Sequence, residues 1–158
     1  MLLILIRHAK SSWENNFIDH DRPLSNRGVK DAQLVFNSFD FFLNNKCEIL
    51  ASTSKRTTQT AKIFCSLTKI NFEDVIFKKE LYTFDSNELE KVIRKNLKKN
   101  LIIFGHNNAI TDFVNKFGNY YIENVPTCGV VIIKFDDFST FSPNKGVITK
   151  TIFPRDLK

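Results

Sequence analysis

The sequence predicts an α/β domain, a three-layer α/β/α sandwich around a central, mostly parallel mixed sheet. Short apolar runs alternate with amphipathic stretches, the pattern of strands covered by helices. Two runs, LLILI near the start and NLIIFG from Asn100, are continuously apolar, as central strands covered on both faces should be. The last two runs are separated only by the polar, turn-rich loop DDFSTFSPNKG, which predicts an antiparallel hairpin at the sheet edge.

In chain order the expected strands are LLILI, CEILAS from Cys47, DVIFK from Asp74, NLIIFG from Asn100, GVVIIKF from Gly129 and VITKTIF from Val147. Four helices fit between them. The first starts at Ser25, whose hydroxyl can cap the free amides of the opening turn. Leu24 and Val29 flank that cap at the spacing of a hydrophobic staple. Val29, Ala32, Phe36, Phe39 and Leu43 then form one apolar stripe. A second helix is expected from about Thr53 to Leu67. A third runs from about Ser86 to Leu97, with Asp85 and Glu88 at capping-box spacing. The fourth carries Ile110, Phe113, Val114 and Phe117 on one face.

A chain of 158 residues fits a single domain spanning residues 1–158, large enough to bury a core without staples. Its 42% hydrophobic and 25% charged residues are those of a soluble globular protein. The 16 phenylalanines are spread along the chain, which reads as core filling rather than an aromatic platform. No apolar run approaches the roughly 20 residues of a membrane span, so no membrane partner is expected. The apolar N-terminal run has no charge before it and no small-residue cleavage site after it, so it reads as a buried strand rather than a signal peptide. Cys47, Cys65 and Cys128 are odd in number and widely spaced, which disfavours a disulfide framework or zinc site and suggests a cytoplasmic location. Cys128 reads as buried filler rather than a nucleophile. The net charge of +6 attracts anions without choosing among them. The basic cluster KVIRKNLKKN has apolar residues at helical spacing and is expected to be a solvated helix face, with no nucleic acid as partner.

Three segments carry chemistry, each at a strand end, where α/β proteins gather their ligands. The first strand ends in Arg7-His8, the second in ASTSKRTTQTA with Arg56 in the opening turn of a helix, and the fourth in Gly105-His106. Two arginines and two histidines therefore converge beside a helix N-terminus. Guanidinium forks match phosphate oxygens, and the open amides of a helix start add positive potential. A neutral imidazole held in line can attack phosphorus while the surrounding cations stabilise the transition state. The arginines supply the neutralisation, no carboxylate cluster for magnesium is evident, and neither a metal nor another cofactor is expected. His20 reads as a loop residue. Ser54 can donate to phosphate or cap its helix.

LILIRHAKSSW, HDRPLSNRG, STSKRTTQTA and IIFGHNNAI, in that order, resemble the motifs of the histidine phosphatase superfamily. The short length, RHAKSSW and DHDRPLSNRG are similar to its small phosphohistidine phosphatase (SixA-like) branch. That resemblance implies a phosphoglycerate mutase-like fold and a hydrolase with a histidine nucleophile. It implies that His8 forms a transient phosphohistidine, that Arg7 and Arg56 bind phosphoryl oxygens, and that His106 is the second pocket histidine. His106 would act protonated or as a hydrogen-bond donor, which neighbouring arginines resist electrostatically. Arg22 matches a further phosphate-pocket arginine, the alternative being a surface ion pair that pins its loop.

Two departures from the family pattern bear on function. Asn107-Asn108 stands where Asn-Pro often follows the Gly-His motif, which is expected to loosen the turn without removing a pocket group. The acid that protonates an ester leaving group in larger members has only Glu80 as a candidate here, and Glu80 reads equally as a charged strand-end residue. An alkoxide usually needs such an acid, whereas imidazole leaves phosphorus more readily. The expected reaction is therefore hydrolysis of phosphohistidine on a protein, such as a histidine-containing phosphotransfer domain in two-component signalling, by a monomer. A small-molecule phosphomonoesterase and a non-catalytic phosphoprotein-binding module are the alternatives.

Overall fold

The computed structural model describes residues 1–39, 47–98 and 100–158. The strands are β1 (Leu2–Arg7), β2 (Cys47–Ser52), β3 (Val75–Lys78), β4 (Asn100–Gly105), β5 (Val130–Lys134) and β6 (Val147–Ile152). They form one sheet in the order β3-β2-β4-β1-β5-β6. The first four strands in that order run parallel, while β5 is antiparallel to β1 and β6 antiparallel to β5. The two uninterrupted apolar runs, β1 and β4, are neighbours inside the sheet, and the last two strands make the edge hairpin.

Four helices cover the sheet: α1 (Asn26–Asn37), α2 (Lys55–Thr68), α3 (Ser86–Lys95) and α4 (Ala109–Phe117). Alternation along β1 separates two cores. Leu3 and Leu5 pack with Leu89, Val92 and Ile93 of α3 and Phe113, Val114 and Phe117 of α4. Ile4 and Ile6 pack with Ala32, Val35 and Phe36 of α1 and Ala61 and Phe64 of α2. Each fully buried aliphatic or aromatic side chain contributes about 1.5–3 kcal/mol of transfer free energy, so both faces of β1 anchor it. Phenylalanines fill both cores: Phe36, Phe64 and Phe104 meet edge-on on one face, while Phe113, Phe117 and Phe141 stack on the other.

The helix boundaries follow their caps. The Ser25 hydroxyl accepts from Gly28 N at 3.1 Å, and Asp85 accepts from Asn87 N at 2.6 Å. The return half of the capping box is replaced, because Glu88 pairs with Lys91 at 2.6 Å instead. In α1 the buried residues are Gly28, Asp31, Ala32, Val35 and Phe36, so Val35 takes the stripe position expected of the half-buried Val29. Leu43 lies outside the described residues. The basic face of α3 is solvated as expected, with Lys91 and Arg94 paired to Glu88 and Glu90. Among the described residues no helix is long and apolar enough to cross a membrane.

Candidate active site

The register of the sheet brings the two histidines together. Arg7 of β1 pairs with Gly105 of β4, and the next amide, His8 N, donates to Gly105 O at 3.0 Å. His8 and His106 therefore leave adjacent parallel strands side by side, with ring centroids 5.2 Å apart. On the other side of β1, Cys128 adopts a positive φ of 60° and its N–H lies 3.1 Å from Arg7 O and 3.0 Å from His8 O. Cys128 is buried, and burial pushes its thiol far above the usual range, so it is the inert filler expected.

Helix α2 supplies the third wall. Ser54 caps it, accepting from Thr57 N, which places Arg56 in the first turn with its side chain buried. Thr60, one turn on, accepts from Ala9 N at 3.0 Å and donates to Arg56 O at 2.7 Å, locking the segment after His8 onto the helix. Ser54 thus has the cap role of its two readings.

The hydrogen bonds assign the nitrogens of His8. Nδ1 lies 2.8 Å from Ala9 O, a carbonyl that can only accept, so Nδ1 carries the proton. Nε2 receives Arg56 Nε at 3.2 Å and holds the lone pair toward the pocket. Burial, opposed by the Ala9 hydrogen bond but reinforced by Arg56, Arg7 and Arg22, pulls the His8 pKa down to about 3. The imidazole is thus neutral at physiological pH.

His106 is held in the opposite tautomer. Arg56 NH2 donates to its Nδ1 at 3.4 Å, and Nε2 donates to Ser52 Oγ at 2.7 Å. Burial, then His8 and Arg56, lowers its pKa to about 2. It is neutral at physiological pH.

Arg7 extends one arm to Val125 O at 2.8 Å, while its buried Nε has no hydrogen-bond partner, leaving a donor free for a ligand. Arg22 is buried rather than at the surface. Its Nε donates to Ser12 O, NH1 to Asp19 Oδ1 and NH2 to Ser11 Oγ, and the exposed Trp13 ring lies over its guanidinium. It pins the loop through Asp19, and its charge helps lower the His8 pKa. Glu80 is exposed in a short 3-10 turn, Lys79–Leu81, with no hydrogen bond or ion pair to the pocket groups among the described residues. His20, in the turn Asp19–Asp21, reaches Asp21 and Thr53 and packs edge-on against Tyr82. In the turn after His106, Asn107 Oδ1 accepts from Thr111 N and Oγ1, and its Nδ2 donates to Asn124.

Four site residues escaped the sequence reading: Asp19, Tyr82, Phe84 and Ser52. Asp19 accepts from Arg56 NH2 at 2.9 Å, Arg22 NH1 at 3.1 Å and Tyr82 Oη at 2.5 Å. Burial would raise its pKa, but the hydrogen bonds from Tyr82, Arg56 and Arg22 outweigh that and hold it at about 2, an ionised carboxylate. Tyr82 and Phe84 also pack edge-on against His106. Ser52, the last residue of β2, is the fourth.

The whole sets three arginines around a neutral imidazole whose Nε2 holds a lone pair. A family model described as histidine phosphatase superfamily (branch 1) matches residues 3–90. An uncharacterised protein of Mycobacterium tuberculosis is 40% identical over 55 residues, and the match spans 35% of this chain and 35% of that relative's length. A structure of the protein histidine phosphatase SixA with tungstate superimposes with a TM-score of 0.82 over all of both chains at 17% identity. Phosphoglycerate mutase from Bacillus anthracis gives 0.67 over 84% of this chain and 86% of its own at 15% identity. The fold is therefore phosphoglycerate mutase-like, and the chain belongs to the histidine phosphatase superfamily, branch 1.

Proposed function

We propose that this phosphatase removes the phosphoryl group from phosphohistidine on a protein through a covalent intermediate on His8. The observation that carries the reading is the His8 tautomer: Nδ1–H is committed to Ala9 O, and the Nε2 lone pair faces the arginines. A nucleophile must present a lone pair without first losing a proton, and His8 does so.

In the proposed first step Nε2 attacks phosphorus, forming an N–P bond as the bond to the substrate's imidazole nitrogen breaks. That nitrogen leaves with the bonding electron pair, as a neutral imidazole whose other ring nitrogen already carries a proton. Arg7, Arg56 and Arg22 stabilise the charge on the equatorial oxygens, so the reading needs no metal or cofactor. An incoming dianion also favours the imidazolium of His106, whose Nδ1 would then donate to a phosphoryl oxygen while Nε2–H stays on Ser52. In the second step water attacks phosphorus, the Nε2–P bond breaks and inorganic phosphate leaves.

The substrate choice rests on the acid. Asp19 is ionised and Glu80 is exposed without a bond to the pocket groups, so among the described residues neither carboxyl is placed to protonate an alkoxide. Imidazole does not require one. The exposed Trp13 and Phe84 lie beside pocket residues, a rim suited to a protein surface such as a histidine-containing phosphotransfer domain.

The test compares phosphate release from a phosphohistidine protein and from small phosphate esters, for wild type and His8→Ala. Wild type is expected to prefer the phosphohistidine protein and to yield an acid-labile phosphoenzyme on brief incubation. His8→Ala is expected to lose both. Retained turnover in His8→Ala removes the nucleophile assignment, and a preference for esters removes the substrate assignment.

A further inference from the structure

The pocket gathers three guanidinium groups and one carboxylate. Arg7, Arg22 and Arg56 are positive, Asp19 is negative, and both imidazoles are neutral. A phosphoryl dianion entering beside Asp19 brings this local sum to zero. Without the carboxylate, one positive charge would remain uncompensated, and inorganic phosphate would have to leave against it.

The placement of Asp19 fits competition. Its Oδ2 takes Arg56 NH2 at 2.9 Å and its Oδ1 takes Arg22 NH1 at 3.1 Å, which are the donors that phosphoryl oxygens use. Arg7, which has no carboxylate partner among the described residues, keeps a buried donor open. The Asp19 side chain is 45% exposed and sits on the three-residue turn Asp19–Asp21. It can turn toward water when a phosphoryl group arrives without stranding a buried charge. Tyr82 gives the carboxylate a further hydrogen-bond donor that is not one of the guanidinium groups.

Resting on the reading of this pocket as a phosphoryl site, we infer that Asp19 is an internal competitor for Arg56 and Arg22, a positioning residue whose charge speeds the release of inorganic phosphate. The competition is between two anions for the same donors, so it acts on product as on substrate.

The experiment titrates inorganic phosphate into wild type, Asp19→Asn and Asp19→Glu by calorimetry, and measures phosphate inhibition and steady-state turnover of each. Asp19→Asn keeps the shape and an acceptor for Tyr82 but removes the charge. Its phosphate Kd is expected to fall about tenfold, equivalent to about 1.4 kcal/mol, with kcat and KM falling together. Asp19→Glu restores the charge and is expected to bind phosphate within about threefold of wild type. Unchanged or weaker phosphate binding by Asp19→Asn overturns the inference, because the carboxylate would then only hold Arg56 in place. Equal tightening in Asp19→Glu overturns it as well. A wild type that binds no phosphate removes the pocket reading itself, whereas wild-type binding unaltered in Asp19→Asn removes only the role of Asp19.

Discussion

Ser52 decides which nitrogen of His106 faces the pocket. Its Oγ accepts Nε2–H at 2.7 Å, which leaves Nδ1 to Arg56 here and to a phosphoryl oxygen in the proposed complex. Ser52→Ala removes that acceptor, and among the described residues the longer 3.5 Å approach of Thr57 Oγ1 remains. We expect kcat/KM to fall about tenfold, the scale of one buried hydrogen bond, with little change in melting temperature. Steady-state kinetics on the phosphohistidine substrate check this, and an unchanged kcat/KM removes the tautomer argument. The residues legible in the sequence are those whose position follows from a strand end. Arg7-His8 and Gly105-His106 terminate apolar runs, and Arg56 opens a capped helix. Asp19 and Ser52 terminate nothing that sequence alone marks as chemical. Asp19 lies 37 residues from Arg56 and 63 from Tyr82, so only the folded chain shows what its carboxylate meets. The one local signal is its spacing of three from Arg22, which a turn can close into an ion pair.

Helix α1 touches the site through one glycine. A Cβ on Gly28 would lie 2.1 Å from Lys10 O, backbone that cannot swing aside as a side-chain tip can. Lys10 follows Ala9, whose carbonyl fixes the His8 tautomer. Gly28→Ala is therefore expected to push helix and loop apart at a cost of about 1–3 kcal/mol, lowering the melting temperature by about 2–4 °C for each kcal/mol. It should lower kcat as well, since Ala9 O moves with Lys10. Calorimetry and kinetics on the one variant check both, and an unaltered melting temperature refutes the close approach. At this scale the sequence was read well because caps and periodicity are local: Ser25, Ser54 and Asp85 all cap where expected. The capping box at Asp85 misled because Glu88 has a competing partner, Lys91, three residues on.

Across the molecule, two buried histidines link stability to pH. His8 and His106 titrate at about 3 and about 2 when folded, below their ordinary value of 6.5. The unfolded chain therefore takes up their protons first, and stability falls as pH drops below 6.5 toward 3. Each proton contributes a slope of at most about 1.4 kcal/mol per pH unit in that window. Urea midpoints at pH 7, 6, 5 and 4 should decline, and His8→Gln should flatten the decline by one proton's share. A wild type equally stable at pH 7 and pH 4 contradicts the buried neutral pair. The sandwich was legible because composition and the uninterrupted runs of β1 and β4 demand cover on both faces. The exact order of the strands was not, since parallel pairing leaves no turn between partners to read.

That pairing has a consequence for how the enzyme comes into being. The strand that delivers His8 is made before its neighbours in the sheet, since its parallel partner begins at Asn100 and the residue that clamps its end is Cys128. A nascent chain consequently carries His8 long before it carries the groups that surround it. The sheet closes around β1 only once the segment through β5 has been made, so the proposed chemistry waits on residues more than a hundred positions after His8.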